Sequence, residues 1–138
     1  MMKVFLDTNI LLDITLRRQH FAEAVEVWQG GFEGNYEVCA SALSFANAAY
    51  IMRKWPQFAR NEVLLHLADN ITILPLEDGQ IKEGLARPAP DFEDTLQYLV
   101  AKAYGCDTIV TYNKRDFLGF GDMQILTSEE FLLSQKRQ

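Results

Sequence analysis

The sequence MKVFLDTN, at residues 2–9, holds a short apolar run that ends abruptly in three polar residues. Apart from Lys3, residues 2–6 are apolar, which is typical of a strand buried on both faces of a sheet. The polar residues after it open a predicted helix over residues 8–17. A buried strand that leads directly into a helix indicates an α/β protein, with Asp7 at the carboxyl end of the first strand.

The rest of the chain alternates between apolar runs and helical patterns. Further strands are predicted over residues 36–40, 71–74, 108–111 and, as a last short strand, 123–126. Helices are predicted at about 20–32, 41–55, 56–69, 77–86 and 91–105, with a C-terminal helix starting from a TxxE capping box at 127–130. This order predicts a three-layer α/β/α fold whose central, mostly parallel sheet has four or five strands.

The predicted helix that starts at Asp91 has one apolar stripe, formed by Phe92, Leu96, Leu99, Val100 and Ala103. The preceding RPAP at residues 87–90 favours extended backbone. Ser41 is well placed as the N-cap of the helix over 41–55, and Pro56 both closes that helix and can open the next one.

Length and composition indicate an ordinary globular protein. The 138 residues fit one domain spanning 1–138, and 49% are apolar and 23% charged. The first apolar run is too short for a secretory signal or a membrane span, so we expect a cytoplasmic protein without a membrane partner. Cys39 and Cys106 lie far apart without CxxC spacing, which argues against a disulfide framework or a zinc site and favours buried free thiols.

The formal net charge of −6 opposes broad binding of nucleic acid over the whole surface. A polyanionic substrate would need local positive charge. The candidate basic stretches are Arg17-Arg18-Gln19-His20, Arg53-Lys54 and Lys114-Arg115, although such basic pairs are more often only solvated surface residues. Among them we expect Arg17, Arg18 and Lys114 to bind RNA.

Aspartates from three separate segments are expected to meet at one edge of the sheet. Asp7 follows the first strand, and Asp116 lies five residues past the end of the fourth. Asp91 and Asp94 open a helix antiparallel to the next strand, so they return to the same edge. Gathered carboxylates without Cys or His favour Mg²⁺ or Mn²⁺, the ions of phosphate-ester chemistry. The sequence therefore predicts metal-assisted phosphodiester hydrolysis.

Each of these acids also has a purely structural interpretation. Asp91 can be a simple N-cap, and Asp94 in the first turn of a helix is favoured by the helix dipole alone. Asp7 can cap the helix that begins at Thr8, and Asp116 can start a turn before Phe117.

Three motifs in order carry a resemblance to a known family: VFLDTN at 4–9, DFED at 91–94 and TYNKRDF at 111–117. Together they resemble the PIN domain, over almost the whole chain and with the spacing of bacterial single-domain members such as VapC-type toxins. The resemblance implies an endoribonuclease that uses Mg²⁺ or Mn²⁺ to cleave single-stranded or structured RNA. It also implies a homodimer and, for a toxin, a small antitoxin protein as partner.

By the same resemblance, Asp7, Asp94 and Asp116 are the catalytic metal ligands, and Asp91 is a further candidate ligand. The residues that would orient these acidic loops by hydrogen bonds are Thr8, Asn9, Thr111 and Asn113.

The chain departs from the common family pattern in the helix after the second strand. Many PIN domains carry a glutamate about six residues past the serine cap, where this chain has Asn47. Asn47 either binds a second ion weakly through water, orients substrate, or is a satisfied structural amide; Asp91 or Glu93 can supply the missing charge. Tyr50 and Trp55 either stack on bases or, as is commoner at helical spacing, belong to the core.

Two other functions remain open from the sequence. One is a phosphatase that uses Asp7 as a nucleophile, but such enzymes need a second acid two residues later, where this chain has Asn9. The other is a non-catalytic PIN-like module whose acidic pocket binds an arginine of a partner.

Overall fold

A five-stranded sheet forms the centre of the protein, which we describe from a computed structural model covering residues 1–88 and 91–137. The strands are β1 (Lys3–Leu6), β2 (Glu37–Ser41), β3 (Thr72–Leu74), β4 (Thr108–Val110) and β5 (Gln124–Leu126). Their order in the sheet is β3-β2-β1-β4-β5, and every pairing is parallel. The α/β prediction is therefore confirmed, with five strands.

Helices connect the strands, as the alternating pattern predicts. They are α1 (Thr8–Thr15), α2 (Phe21–Phe32), α3 (Ala42–Ile51), α4 (Gln57–Ala68), α5 (Asp78–Ala86), α6 (Phe92–Ala103) and α7 (Ser128–Lys136). A 3₁₀ helix over Lys114–Phe117 was not predicted. The hydroxyl of Ser41 caps α3 and Thr127 forms the predicted capping box, but α3 ends at Ile51 rather than near Trp55.

The two faces of the sheet bury alternate residues of each strand. On one face Val4, Leu6 and Val38 pack against α1, α2 and α7. On the other face Phe5 and Ile109 pack against α6. Burying side chains of this size stabilises the fold by about 1.5–3 kcal/mol each. Burial on both faces explains why the strands are continuous apolar runs, and it confirms the three-layer prediction.

Helix α6 is buried more widely than one stripe would require. Phe92 is 41% exposed and Ala103 is also exposed, so the predicted stripe is wrong at both ends. In the middle, the polar residues Thr95 and Gln97 are buried. The cause is packing on two sides: α6 contacts the sheet and also α5, where an added Cβ at Gly84 would lie 3.0–3.1 Å from α6 side chains.

Cys39 and Cys106 are free and buried, as predicted. Residue 87 has the predicted extended backbone, whereas Ala89 and Pro90 of the same stretch lie outside the described residues. Within residues 1–88 and 91–137, no helix is both long and apolar enough to cross a membrane.

Candidate active site

Asp7 is buried at the junction of β1 and α1, with only 4% of its surface exposed. It is the N-cap of α1: its Oδ1 accepts a hydrogen bond from the Thr8 backbone N–H at 2.8 Å, and its Oδ2 accepts one from the Thr111 hydroxyl at 2.9 Å. Burial raises the pKa of Asp7 from 3.8 to about 6, although both hydrogen bonds oppose this, and the charges of Glu93 and Asp116 raise it further. Asp7 is thus a helix cap and also a carboxyl group whose ionisation burial disfavours.

Asp94 is the second acid of the site and lies in the first turn of α6. Burial raises its pKa from 3.8 to about 7, and the charges of Asp91, Asp7, Asp116 and Glu93 contribute in that order. Asp91 is the N-cap of α6, since its Oδ1 accepts a hydrogen bond from the Asp94 backbone N–H at 2.9 Å. The capping interpretation of Asp91 is therefore confirmed, and its charge still acts on Asp94.

Asp7 and Asp94 line one pocket of about 370 Å³ at the carboxyl edge of the sheet. Its walls are formed by Asp7, Thr8, Asn9, Asn47, Tyr50, Ile51, Glu93 and Asp94. Asp116, in the 3₁₀ helix after β4, is exposed and borders two neighbouring clefts instead. Its charge raises the pKa of both Asp7 and Asp94, so the three aspartates lie within electrostatic reach of each other.

The amide of Asn47 faces an acid of the same pocket. Its Nδ2 donates a hydrogen bond to Glu93 Oε1 at 2.6 Å. A carboxylate therefore stands beside the position at which the family pattern has one, but it comes from α6 rather than from α3. This arrangement agrees with the expectation that Glu93 can supply the missing charge.

A fully buried hydrogen-bond network lies among the elements that carry these residues. Gln97 of α6 donates to the hydroxyl of Thr8 at 3.0 Å and to that of Ser44 at 2.7 Å, and its Oε1 accepts from the Ser41 hydroxyl at 2.6 Å. Thr8 also donates to Ser44 at 2.9 Å. The network ties the N-termini of α1 and α3 to α6, one turn beyond Asp94.

The three predicted RNA-binding cations have different surroundings. Arg18 donates to the buried Asp13 carboxylate at 3.0 Å and to the Asn9 carbonyl at 2.9 Å. Arg17 lines a groove between α2 and α4, apart from the acidic pocket. Lys114 forms an ion pair with Glu130 at 2.9 Å, beside the cleft that Asp116 borders. Among the three, only Lys114 shares a cleft with a predicted catalytic acid.

The residues expected to orient the acidic loops differ in their contacts: Thr111 bonds Asp7 through its side chain, Thr8 bonds it through its backbone N–H, and Asn113 contributes a backbone N–H to Thr111. Thr111 is fully buried, donates to Asp7 and accepts from the Asn113 backbone N–H at 3.0 Å, which ties the loop after β4 to β1. Thr8 and Asn9 line the pocket.

The charge and donor types of the pocket fit a divalent cation. Within residues 1–88 and 91–137, no ion pair involves Asp7, Asp94 or Asp116, so no side-chain cation neutralises them. All the candidate metal-ligand atoms are carboxylate oxygens, which suits Mg²⁺ or Mn²⁺. The three carboxylates are not in close mutual contact, which is compatible with Mg²⁺ because that ion usually keeps several waters.

One tighter group of metal-ligand types lies elsewhere. In the described part of the chain, His20, Glu23 and Glu129 are the one set whose ligand atoms all lie within 4.8 Å of one another. The Glu129 carboxylate is already engaged there by the His20 ring at 3.2 Å. This set is separate from the acidic pocket.

Comparison with known proteins identifies the fold family. The sequence profile of the PIN domain matches residues 3–115, most of the chain. The chain belongs to the PIN-domain family.

One named ribonuclease and two solved structures are similar to this chain over most of its length. Ribonuclease VapC1 of Aquifex aeolicus (strain VF5) is 25% identical over 135 residues, covering 94% of this chain and 92% of that protein. The structure of VapBC2 from Rickettsia felis bound to a promoter DNA fragment aligns with a TM-score of 0.67 at 17% identity, over 91% of this chain and 98% of that one. Mycobacterium tuberculosis VapC20, a toxin that cleaves the sarcin-ricin loop, aligns with a TM-score of 0.66 at 12% identity, over 84% and 94%.

Sequence reasoning missed two features of this PIN domain. It assigned no role to Gln97, whose place beside Leu96, Tyr98 and Leu99 could have indicated that the amide is buried but not which residues it bonds. It also favoured the core for Tyr50, which is 66% exposed and lines the pocket. Trp55, in contrast, packs against the cluster between α1, α3 and α4, so the core interpretation holds for that residue.

Proposed function

We propose that the protein is a metal-dependent endoribonuclease of the VapC type, the toxin of a toxin–antitoxin pair, acting on single-stranded or structured RNA in the cytoplasm. The observation that carries the proposal is the shared pocket of Asp7 and Asp94, two acids with raised pKa values and no cationic partner in the described residues. The ribonuclease VapC1 relative supports the reaction type.

Asp7, Asp94 and Asp116 would hold Mg²⁺ or Mn²⁺, and Asp91 or Glu93 would add negative charge near it. A divalent ion held there supplies positive charge that offsets the charge on the phosphate oxygens during hydrolysis. The overall reaction breaks the bond between phosphorus and the leaving ribose oxygen and forms one to the oxygen of water.

The residues of the chain hold the acids in place for this reaction. The Thr8 N–H and the Thr111 hydroxyl fix the Asp7 carboxylate from two sides, so it has little rotational freedom. The backbone of Asp94 is held in the first turn of α6, where its N–H donates to the capping carboxylate of Asp91. Such prior ordering of ligands reduces the reorganisation needed when the substrate binds.

The test is cleavage of single-stranded RNA with Mn²⁺. We expect Asp7→Asn and Asp94→Asn each to abolish cleavage while the circular dichroism spectrum stays unchanged, and Glu62→Gln, an exposed acid on α4, to cleave normally. Cleavage that survives both aspartate changes would refute the site. Binding of an arginine-rich peptide without any cleavage would instead favour the non-catalytic module.

Two partners follow from the same proposal. The structural relatives include a toxin–antitoxin complex from Klebsiella pneumoniae, with a TM-score of 0.68 at 19% identity over 91% of this chain and 97% of that one. We therefore expect a short reading frame beside this gene whose product inhibits the nuclease. We also expect a homodimer, which sedimentation equilibrium can measure.

A further inference from the structure

Tyr50 is a large aromatic residue exposed in the wall of the acidic pocket. It lies on α3, one turn beyond Asn47, and 66% of its surface is accessible. The same pocket is lined by Asp7 and Asp94. An exposed tyrosine alone needs no explanation, but this one stands next to the two acids assigned to the reaction.

Arg53 lies against the ring of Tyr50. Its guanidinium carbon is 4.3 Å from the ring centroid, and its Nη1 donates a hydrogen bond to the Tyr50 carbonyl at 3.0 Å. The hydrogen bond holds the cation near one face of the ring, and the exposure of Tyr50 shows that much of the ring remains open to solvent. Arg53 therefore places positive charge against a residue that lines the acidic pocket, and Lys54 follows it in the turn after α3.

We infer that Tyr50 and Arg53 form a stacking platform for one unpaired nucleobase of RNA next to the cleaved phosphate. The inference rests on the proposed ribonuclease function and narrows its substrate class to RNA with unpaired bases, in a single strand or a loop. A base inside a duplex is already stacked on its neighbours and cannot reach the platform without being extruded.

The charge of the protein makes such a platform useful. The net charge of −6 and the acids of the pocket repel a polyanion. Stacking of a base on an aromatic ring does not depend on opposite charge, and a nearby guanidinium adds affinity for the adjoining phosphate. Platform and acidic pocket are continuous, so a chain whose base rests on Tyr50 has its backbone close to Asp7 and Asp94.

A second copy of the protein is the other possible occupant of this face. Ile51, the neighbour of Tyr50, is 49% exposed and apolar, as a residue at a dimer interface would be. Two observations favour RNA over a second copy: Tyr50 faces the pocket of the reaction, and positive charge rather than further apolar surface follows it in Arg53 and Lys54.

The test measures binding without cleavage. In an Asp94→Asn background, fluorescence anisotropy gives the Kd of a short labelled single-stranded RNA for proteins that carry Tyr50, Tyr50→Phe or Tyr50→Leu. Phe58→Leu is the matched control, because Phe58 is 79% exposed on α4 and does not line the pocket. Each measurement is repeated with RNAs in which one base at a time is replaced by an abasic ribose, and with a duplex of the same sequence.

We expect Tyr50→Leu to weaken binding by about ten-fold and Tyr50→Phe to bind nearly normally, because stacking needs the ring and not the hydroxyl. With the RNA that lacks the base stacked on Tyr50, the wild-type residue and Tyr50→Leu should give the same Kd. The duplex should be insensitive to Tyr50→Leu.

Two results would overturn the platform while leaving the nuclease intact. One is that the Tyr50→Leu and Phe58→Leu proteins bind the single-stranded RNA with equal Kd, while the wild-type protein cleaves RNA. The other is that Tyr50→Leu weakens RNA binding with every abasic RNA alike and that sedimentation shows its dimer dissociating. That result would assign this face to a second copy of the protein. If the wild type neither binds nor cleaves RNA, the proposed function and the platform both fail.

Discussion

Asn47 Nδ2 donates a hydrogen bond to Glu93 Oε1 at 2.6 Å, which joins α3 to the first turn of α6 across the acidic pocket. An asparagine at this place carries no charge of its own. The hydrogen bond keeps the Glu93 carboxylate near Asp7 and Asp94, whose pKa values it helps to raise. We therefore propose that Glu93 contributes the negative charge that residue 47 lacks.

Glu93→Gln should weaken Mn²⁺ binding and slow RNA cleavage, each by about ten-fold, the lower end of the range for residues that support metal ligands. The change removes charge but keeps the shape of the side chain. Isothermal titration calorimetry gives the affinity, with Glu62→Gln on α4 as control. An unchanged affinity in both proteins would mean that Glu93 serves only to hold α3 against α6.

The stability of the metal-free protein should fall as the pH rises, because folding raises the pKa of Asp94 to about 7 from 3.8. The ionised carboxylate is less favourable in the folded than in the unfolded state. The contribution of the Asp94 carboxyl group to stability is therefore fully present below about pH 4 and is lost as the pH rises through about 7. In chelator, Asp94→Asn should therefore melt higher than wild type at about pH 8 and at nearly the same temperature at about pH 4.

Scanning calorimetry at both pH values checks this difference, and Glu62→Gln should match the wild type throughout. A lower melting temperature of Asp94→Asn at the higher pH would contradict it, because it would mean that the charged carboxylate stabilises the metal-free fold.

Mn²⁺ should make the wild type more stable than Asp94→Asn, the reverse of the order expected in chelator at about pH 8. A ligand that binds only the folded state stabilises it by about 2.7 kcal/mol at a free concentration of about a hundred times its Kd. The wild type should gain this much, whereas Asp94→Asn and Asp7→Asn should gain much less because each has lost a carboxylate ligand. Melting curves over a Mn²⁺ series measure the gain. Equal gains in all three proteins would place the ion outside this pocket.

Arg18 should matter for folding more than for RNA. It binds the buried carboxylate of Asp13, whose pKa is raised by burial, although 40% of the Arg18 side chain itself is exposed. Arg18→Gln should lower the free energy of unfolding by about 2 kcal/mol, below the range for fully buried pairs. The double variant with Arg18→Gln and Asp13→Asn should recover part of this loss. Arg17→Gln, the control, should change the free energy of unfolding little.

Urea denaturation of the four proteins measures these differences. If Arg18→Gln instead keeps its stability and loses affinity for RNA, the original assignment of Arg18 to RNA binding is the correct one.

The fold could be predicted because its signals are local or follow from topology. A buried strand that ends at Asp7 can be recognised from eight residues, and parallel strands bring their carboxyl ends to one edge, so the meeting of Asp7 with Asp94 follows from the element order. The cap at Asp91 is also local, since donor and acceptor are three residues apart.

Contacts between distant segments could not be predicted in the same way. Asn47 and Glu93 are 46 positions apart, and their pairing depends on how α3 and α6 are spaced over the sheet. The exposure of Tyr50 has the same origin, because helical spacing alone cannot show which face of α3 the neighbouring helices leave open. Arg18 appeared to be a free cation because its partner Asp13 gave no signal of burial.

Gln97 is the clearest case of a contact that the sequence conceals, and it gives the last prediction. Gln97 and Thr8 are 89 positions apart, yet the amide bonds the hydroxyls of Thr8, Ser44 and Ser41 inside the protein. Gln97→Met keeps the volume of the side chain but removes one hydrogen-bond partner from each of three buried hydroxyls, which should lower the free energy of unfolding by about 1–3 kcal/mol. Gln57→Met, at an exposed position of α4, is the matched control and should cost little.

The same change should disturb the site, because Gln97 lies one turn beyond Asp94 on α6 and holds that helix to the residue after Asp7. We expect Mn²⁺ affinity to fall by about ten-fold at temperatures where the protein remains fully folded, as for other residues that hold ligands in place. Calorimetric titration well below the melting temperature separates this effect from unfolding. A Gln97→Met protein that is less stable but binds Mn²⁺ normally would show that the network stabilises the core without setting the distance between the two acids.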